Sequence, residues 1–251
     1  MRMFAHLSDL HLDGGERADA RAAAVFGYLR EIPLTAVLVT GDLADHGLPA
    51  EYRRAAELMQ HTAPVVACPG NHDARGPFRE ALLGGHAGDE PVNTAIEAGG
   101  VLIAACDSTI PGQGAGYLAD ETLSWLDAVL SGHDGPAMVA CHHPPVEVGV
   151  PPVDRIRQTG EDRLAEVLRR HPTVTALLCG HVHTGAATTF AGIPLRIAPG
   201  VVSGSLLPGE PGSDRDWAEG GPVTFGRPPE LLLHVLHDDG RLTTHQRSVT
   251  G

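Results

Sequence analysis

The chain is expected to adopt an α/β fold, and three features of its sequence support this. Short runs rich in Val, Leu, Ile and Ala alternate with longer Ala- and Leu-rich stretches of helical period. The short runs end in Gly, Pro or polar clusters, as strands do. The 251 residues suffice for a full core, and no repeat or linker divides them, so one domain over 1–251 is expected.

Taken in order, Met3 to Leu7 reads as the first strand, closed by Ser8-Asp9-Leu10-His11. Arg17 to Glu31 is helical, with Ala18, Ala22, Val25 and Leu29 on one side. Thr35 to Thr40 is a strand followed by Gly41-Asp42, and Pro49 suits the first turn of a helix running to His61. Ala63 to Cys68 is a strand leading into Pro69-Gly70-Asn71-His72-Asp73. Arg75 to Leu83 is a helix stopped by Gly84-Gly85. Val92 to Glu97 and Val101 to Cys106 form a hairpin across Gly99-Gly100, and 107–119 is a Gly-rich loop. Asp120 is expected to cap a helix over 121–131. Ala137 to Cys141 is a strand ending at His142-His143-Pro144-Pro145, and 144–158 an irregular loop near the site. Glu161 to Arg170 is a helix halted by Pro172, and Val174 to Cys179 a strand ending at Gly180-His181-Val182-His183. Thr188 to Phe190 pairs with Pro194 to Ala198. Residues 199–229 lack a clear period and read as an irregular, mobile excursion. Leu231 to His237 and Arg241 to Arg247 close the chain as a hairpin across Asp238-Asp239-Gly240.

The net charge of −13 argues against a nucleic-acid backbone as main partner. There is no Lys, so every fixed cation is an Arg. Cys68, Cys106, Cys141 and Cys179 each end an apolar run and form no Cys-x-x-Cys pair, which fits buried, reduced thiols and a cytoplasmic location. The opening residues hold too short an apolar stretch for a signal peptide, and no segment approaches the ~20 apolar residues of a membrane span. A homo-oligomer is compatible with the sequence.

Histidine is the outlier, with 15 copies, several grouped at strand ends. Five apolar runs end in residues able to bind metal: Asp9-Leu10-His11, Gly41-Asp42, Gly70-Asn71-His72, His142-His143 and Gly180-His181-Val182-His183. In Asp9-x-His11 and His181-x-His183, alternate residues of an extended chain would face one ion. Two Asp, one Asn and four His, without thiolate, suit Mn or Fe, with Zn or Co as further candidates. Seven groups are too many for one tetrahedral ion and match two ions sharing a carboxylate. Such a pair keeps positive charge, favours a phosphate ester, and lowers the pKa of bound water towards ~7.

These motifs, in this order from residue 9 to 183, resemble the calcineurin-like metallophosphoesterases. The resemblance implies a four-layer αββα sandwich of two mixed sheets flanked by helices. It implies one metal held by Asp9, His11, Asp42 and His183, and a second by Asp42, Asn71, His142 and His181. His72 would contact the phosphate or protonate the leaving oxygen. Asp73 would orient His72 or cap the next helix; Asn71 is a candidate for substrate contact, and His143, expected to face away from the ligands, would otherwise contact substrate or support a ligand. Arg155 and Arg157 are surface residues that could otherwise meet a second phosphate or a base. His142-His143-Pro144-Pro145 with Ser8-Asp9-Leu10-His11-Leu12 looks most like the class III cyclic-nucleotide phosphodiesterases, a branch that includes enzymes of glycerophosphodiesters. The function implied is hydrolysis of small phosphodiesters, 3′,5′-cyclic nucleotides such as cAMP first, by metal-bound hydroxide. Alternatives are a glycerophosphodiesterase, a 2′,3′-cyclic nucleotide phosphodiesterase or a phosphomonoesterase. A non-catalytic binding module should have lost ligands or His72, and none is lost.

Overall fold

Alternation along the strands decides how the layers stack. In the first strand, β1 (Arg2–Leu7), Ala5 and Leu7 face one core while Phe4 faces another. The computed structural model describes residues 1–216 and 221–250. After β1 come α1 (Glu16–Arg30), β2 (Ala36–Thr40), α2 (Pro49–Leu58), β3 (Val65–Cys68) and α3 (Arg75–Leu83). The hairpin β4 (Thr94–Ala98) and β5 (Val101–Cys106) follows, then β6 (Gly116–Tyr117), α4 (Asp120–Ser131) and β7 (Ala137–Cys141). Next are α5 (Pro151–Asp154), β8 (Gln158–Thr159), α6 (Glu161–Arg170), β9 (Val174–Cys179), β10 (Ala186–Phe190) and β11 (Ile193–Ile197). The chain closes with β12 (Gly204–Ser205), β13 (Val223–Thr224), β14 (Glu230–Leu236) and β15 (Leu242–Ser248).

Two mixed sheets carry the fold. One runs β15-β14-β1-β2-β3 and the other β10-β11-β9-β7-β5-β4. Phe4, Leu38 and Val66 of the first sheet meet Ile103, Met138 and Leu178 of the second in the central core. The outer face of the first sheet packs Val37 and Val39 against Val25, Phe26 and Tyr52 of α1 and α2. The outer face of the second packs Val139 and Leu177 against Leu126 of α4 and Leu164 of α6. Burying both faces of both sheets yields the four layers, helix-sheet-sheet-helix. No helix among the described residues is long and apolar enough to cross a membrane.

Several boundaries differ from the sequence expectation for local reasons. The strand expected from Ala63 begins at Val65, because Pro64 has no N–H to give the ladder. Helix α2 ends at Leu58, and the His61 ring caps the turn beyond it by accepting the Ala63 N–H. Ala119, not Asp120, holds the cap position of α4; Asp120 pairs instead with Arg163. The loops 107–119 and 144–158 are not wholly irregular, since β6 pairs with β8 and α5 forms a short turn between them. The excursion 199–229 holds the small β12–β13 ladder; its residues 217–220 lie outside the described residues.

The carboxyl ends of β1, β2, β3, β7 and β9 converge at one edge of the sandwich, and backbone hydrogen bonds staple their loops together. Asp9 N–H donates to Gly41 carbonyl at 3.0 Å, His11 N–H to Asp42 carbonyl at 2.9 Å, and Gly180 N–H to His142 carbonyl at 2.9 Å. Val202 N–H reaches Asp9 carbonyl at 3.0 Å, so the excursion joins the same edge.

Candidate metal centre

Strain marks the site before any side chain is considered. Among the described residues, six other than glycine have positive φ, and five of them are Asp9, His11, Asp42, His181 and His183. Left-handed backbone at such residues is costly and persists where surrounding structure enforces it. The same fact corrects one expectation. Asp9-x-His11 and His181-x-His183 are not extended, so alternation is not what aims them. His183 joins Asp9 and His11, whereas His181 turns to His142. Two glycines make the approach feasible. A Cβ at Gly70 would fall on the Asp42 carboxylate, and one at Gly180 on Ser8 Oγ and 2.7 Å from Thr40 carbonyl.

The seven expected donors come together as two nests that share Asp42. In one, His183 Nε2 lies 3.3 Å from Asp9 Oδ1 and 3.2 Å from His11 Nε2, and His11 Nε2 lies 3.5 Å from Asp42 Oδ2. In the other, His142 Nε2 lies 3.3 Å from Asp42 Oδ2, 3.2 Å from Asn71 Oδ1 and 3.2 Å from His181 Nδ1. Of the remaining ring nitrogens, those of His142, His11 and His183 are engaged, whereas His181 Nε2 is buried without a partner. His142 Nδ1 donates to Thr40 carbonyl at 2.6 Å, and His11 Nδ1 donates to Asp45 Oδ1 at 2.8 Å. Each of these two rings therefore turns its other nitrogen toward further acceptors. Asp9 Oδ1 is buried with no hydrogen-bond partner. Lone pairs crowding together around an orphaned carboxylate oxygen fit cations and little else.

The charges are set by this crowding. Burial opposes ionisation of Asp42 and Asp9, yet His142 holds Asp42 well below the usual carboxylate range, and His183 lowers Asp9. Reciprocally, burial opposes charge on His142, but Asp42 pushes it up to about 10. His181 is held well below its ordinary value by burial and by His143 and His142 beside it. The centre thus keeps two carboxylates ionised in the interior, and a cation held there would displace protons drawn in by Asp42.

His72, Asp73 and His143 divide differently from expectation. His72 lies at the cleft, its Nδ1 donating to Asp45 carbonyl at 2.9 Å. Asp73 does not touch the ring and does not cap α3. Its carboxyl accepts N–H groups of Gly70, Ala44 and Leu43 at 2.9, 3.0 and 3.2 Å. Burial and Asp42 push it up to about 7. Asp73 therefore ties the β2 loop to the β3 loop. His143 is fully buried, with Nε2 donating to Gly114 carbonyl at 3.2 Å and Nδ1 2.8 Å from Ser108 Oγ. No ring atom is left for substrate, and burial with His142 nearby pushes it down to about 3.

Sequence reasoning missed Asp45 and Ser203. Asp45 anchors His11, and its carboxyl is also 3.5 Å from His72 Nδ1; Ser203 Oγ is 2.8 Å from His183 Nδ1. The signal for Asp45 was its place three residues after Asp42. Ser203 offered none. Arg155 and Arg157 do not line the cleft, whereas Arg17 does.

Four layers with a double nest of Asp, Asn and His at the strand ends define a metallohydrolase scaffold. A sequence profile described as calcineurin-like phosphoesterase matches residues 3–185, and the chain belongs to that family of metal-dependent hydrolases. A probable cyclic nucleotide phosphodiesterase of Rhodococcus erythropolis is 36% identical over 234 residues, covering 86% of this chain and 76% of that protein. The glycerophosphodiester phosphodiesterase GpdQ of Enterobacter lignolyticus is 32% identical over 216 residues, covering 80% and 77%. The crystal structure of a dimetal phosphatase from Danio rerio matches at TM-score 0.69 over 99% of this chain and 96% of that one. At 15% identity, this is a likeness of fold.

Proposed function

We propose that the chain is a dinuclear phosphodiesterase of small phosphodiesters, with 3′,5′-cyclic nucleotides such as cAMP as its first substrates. The observation that carries this reading is the pair of donor nests meeting at Asp42 Oδ2, with His72 at their mouth. Asp9, His11 and His183 with Asp42 would hold one ion, and Asn71, His142 and His181 with Asp42 the other. Oxygen and imidazole donors suit Mn or Fe. The ions, when bound, would acidify water and withdraw charge from the phosphoryl oxygens. The identity to a probable cyclic nucleotide phosphodiesterase supports the substrate class, and that to GpdQ supports glycerophosphodiesters as the alternative. Four free, buried thiols support a reducing cytoplasm.

The protein's own groups supply the rest of the chemistry. Asp42 Oδ1 accepts the His72 N–H at 2.9 Å and fixes the backbone that carries the ring. Because His72 Nδ1 donates to Asp45 carbonyl, its Nε2 can hold the proton that the departing alkoxide takes. Asn71 presents an amide oxygen beside His142, adding a donor without adding charge. The test is hydrolysis of bis(p-nitrophenyl) phosphate with added manganese. Turnover should be lost in Asp42→Asn, and wild-type turnover no higher than that variant's overturns the reading.

A further inference from the structure

The cleft over the donor nests has a chemically mixed lining. It holds about 340 Å³, within the range of small-molecule sites. His11, Asp42, Asn71 and His72 line it, and so do the apolar side chains of Val153, Ile156, Val223 and Phe225. Phe225 is 43% exposed and Ile156 36% exposed, so large apolar side chains stand open to water beside the most polar part of the molecule. The Arg17 guanidinium carbon lies 3.9 Å from the Phe225 ring centroid. Among the described residues, Arg17 forms no ion pair, which leaves its N–H groups available at the cleft.

These walls are held in place. Asp154 accepts the N–H groups of Val148 and Gly149 at 2.8 and 3.0 Å, and Ile156 N–H donates to Val153 carbonyl at 2.9 Å. In the excursion, Ser205 pairs with Val223 in the small ladder that leads to Phe225. Arg21 binds the flanking chain at Val201 carbonyl and Arg227 carbonyl, at 2.7 and 2.8 Å.

A phosphate needs none of this apolar surface, and a glycerol diester would leave it wet. A nucleobase brings a flat π-face for Phe225, an apolar body for Val153 and Ile156, and ring acceptors for Arg17. We propose that the apolar lining of the cleft is a base subsite, in which Phe225 and Arg17 form the platform for the nucleobase of the diester. This rests on the phosphodiesterase reading and adds what selects among diesters.

The test compares kcat/KM for 3′,5′-cAMP with that for glycerophosphoethanolamine, which has no base, using the manganese-loaded full chain. The ratio cancels the fraction of active enzyme, so partial misfolding of a variant cannot imitate the result. In Phe225→Ala the ratio should fall about 10- to 100-fold, the worth of one stacked base, chiefly through KM for cAMP. Phe225→Tyr should restore it, and Arg17→Ala should lower it independently. A ratio within about twofold of wild type in both Phe225→Ala and Arg17→Ala overturns the subsite while leaving the phosphodiesterase reading standing. A wild-type protein inert on both diesters overturns that reading, and the subsite with it.

Discussion

His72 and Asp73 are neighbours in the chain with separate tasks. His72 faces the cleft, held by Asp45 carbonyl, while Asp73 turns inward to three backbone N–H groups. His72→Ala should therefore lower the rate on a diester by about 10²–10⁴-fold if the ring protonates the leaving oxygen. Its metal content, read by mass spectrometry, should match wild type; an unchanged rate would remove the proton role. Asp73→Asn should show the reverse pattern. Its amide has one acceptor oxygen where the carboxyl has two, and its NH₂ meets donors. Urea denaturation should show a loss of about 1–3 kcal/mol, the cost of unsatisfied buried groups. Metal content should fall as the β2 loop loosens, and stability equal to wild type would contradict the tie. The donors themselves were legible in the sequence because Asp, Asn and His declare their chemistry by type. Asp45 was not read, because its value lies in reaching His11 Nδ1, a contact across 34 positions. Adjacency to His142 left the place of His143 open, because it says nothing of burial.

At the scale of elements, the strands announced themselves through unbroken apolar runs, since those flanking the site are buried on both faces. The ladders β6–β8 and β12–β13 pair two residues per strand and are too short to carry a period. The positive φ values at the strand ends were equally hidden, because all five fall on Asp or His rather than on glycine. Where glycine does stand, it allows one sheet to approach the other. Gly180 closes β9 of the second sheet against Ser8 and Thr40 of the first. Gly180→Ala would place its methyl group on Ser8 Oγ, and neither backbone nor Ser8 has room to retreat, since Ser8 Oγ donates to Thr40 carbonyl at 2.9 Å. Overpacking of this kind costs about 1–3 kcal/mol. The variant should unfold at lower urea and retain less than the wild-type complement of metal. A variant as stable and as metal-rich as wild type would show that this contact can relax freely.

For the molecule as a whole, the alternation of strands and helices indicated an α/β fold but not the neighbour order. That order is set by long-range pairing: β14 returns from the far end of the chain to lie beside β1. The pairing buries a polar group the sequence did not foretell. His6 and His234 meet between the sheets, with Nδ1 of one 3.1 Å from Nε2 of the other. Thr40 Oγ1 and Thr244 Oγ1 close the chain at 3.0 and 2.9 Å. Burial pushes His234 down to about 3 and holds His6 well below its ordinary value, the latter with help from His234. In the unfolded chain both rings titrate near 6.5. As pH falls through that value the unfolded state gains protons that the folded state refuses, so stability is full above about 6.5 and is lost towards pH 3. Each such ring adds up to about 1.4 kcal/mol per pH unit to the slope. His234→Gln removes one titrating ring while keeping hydrogen-bonding groups beside His6 and Thr244. Urea unfolding between pH 7.5 and 5, with chelator throughout so that metal occupancy is constant, should therefore show a shallower loss in the variant. Parallel curves for the two proteins would mean that the ring takes up its proton as readily folded as unfolded, and that the two sheets admit charge between them.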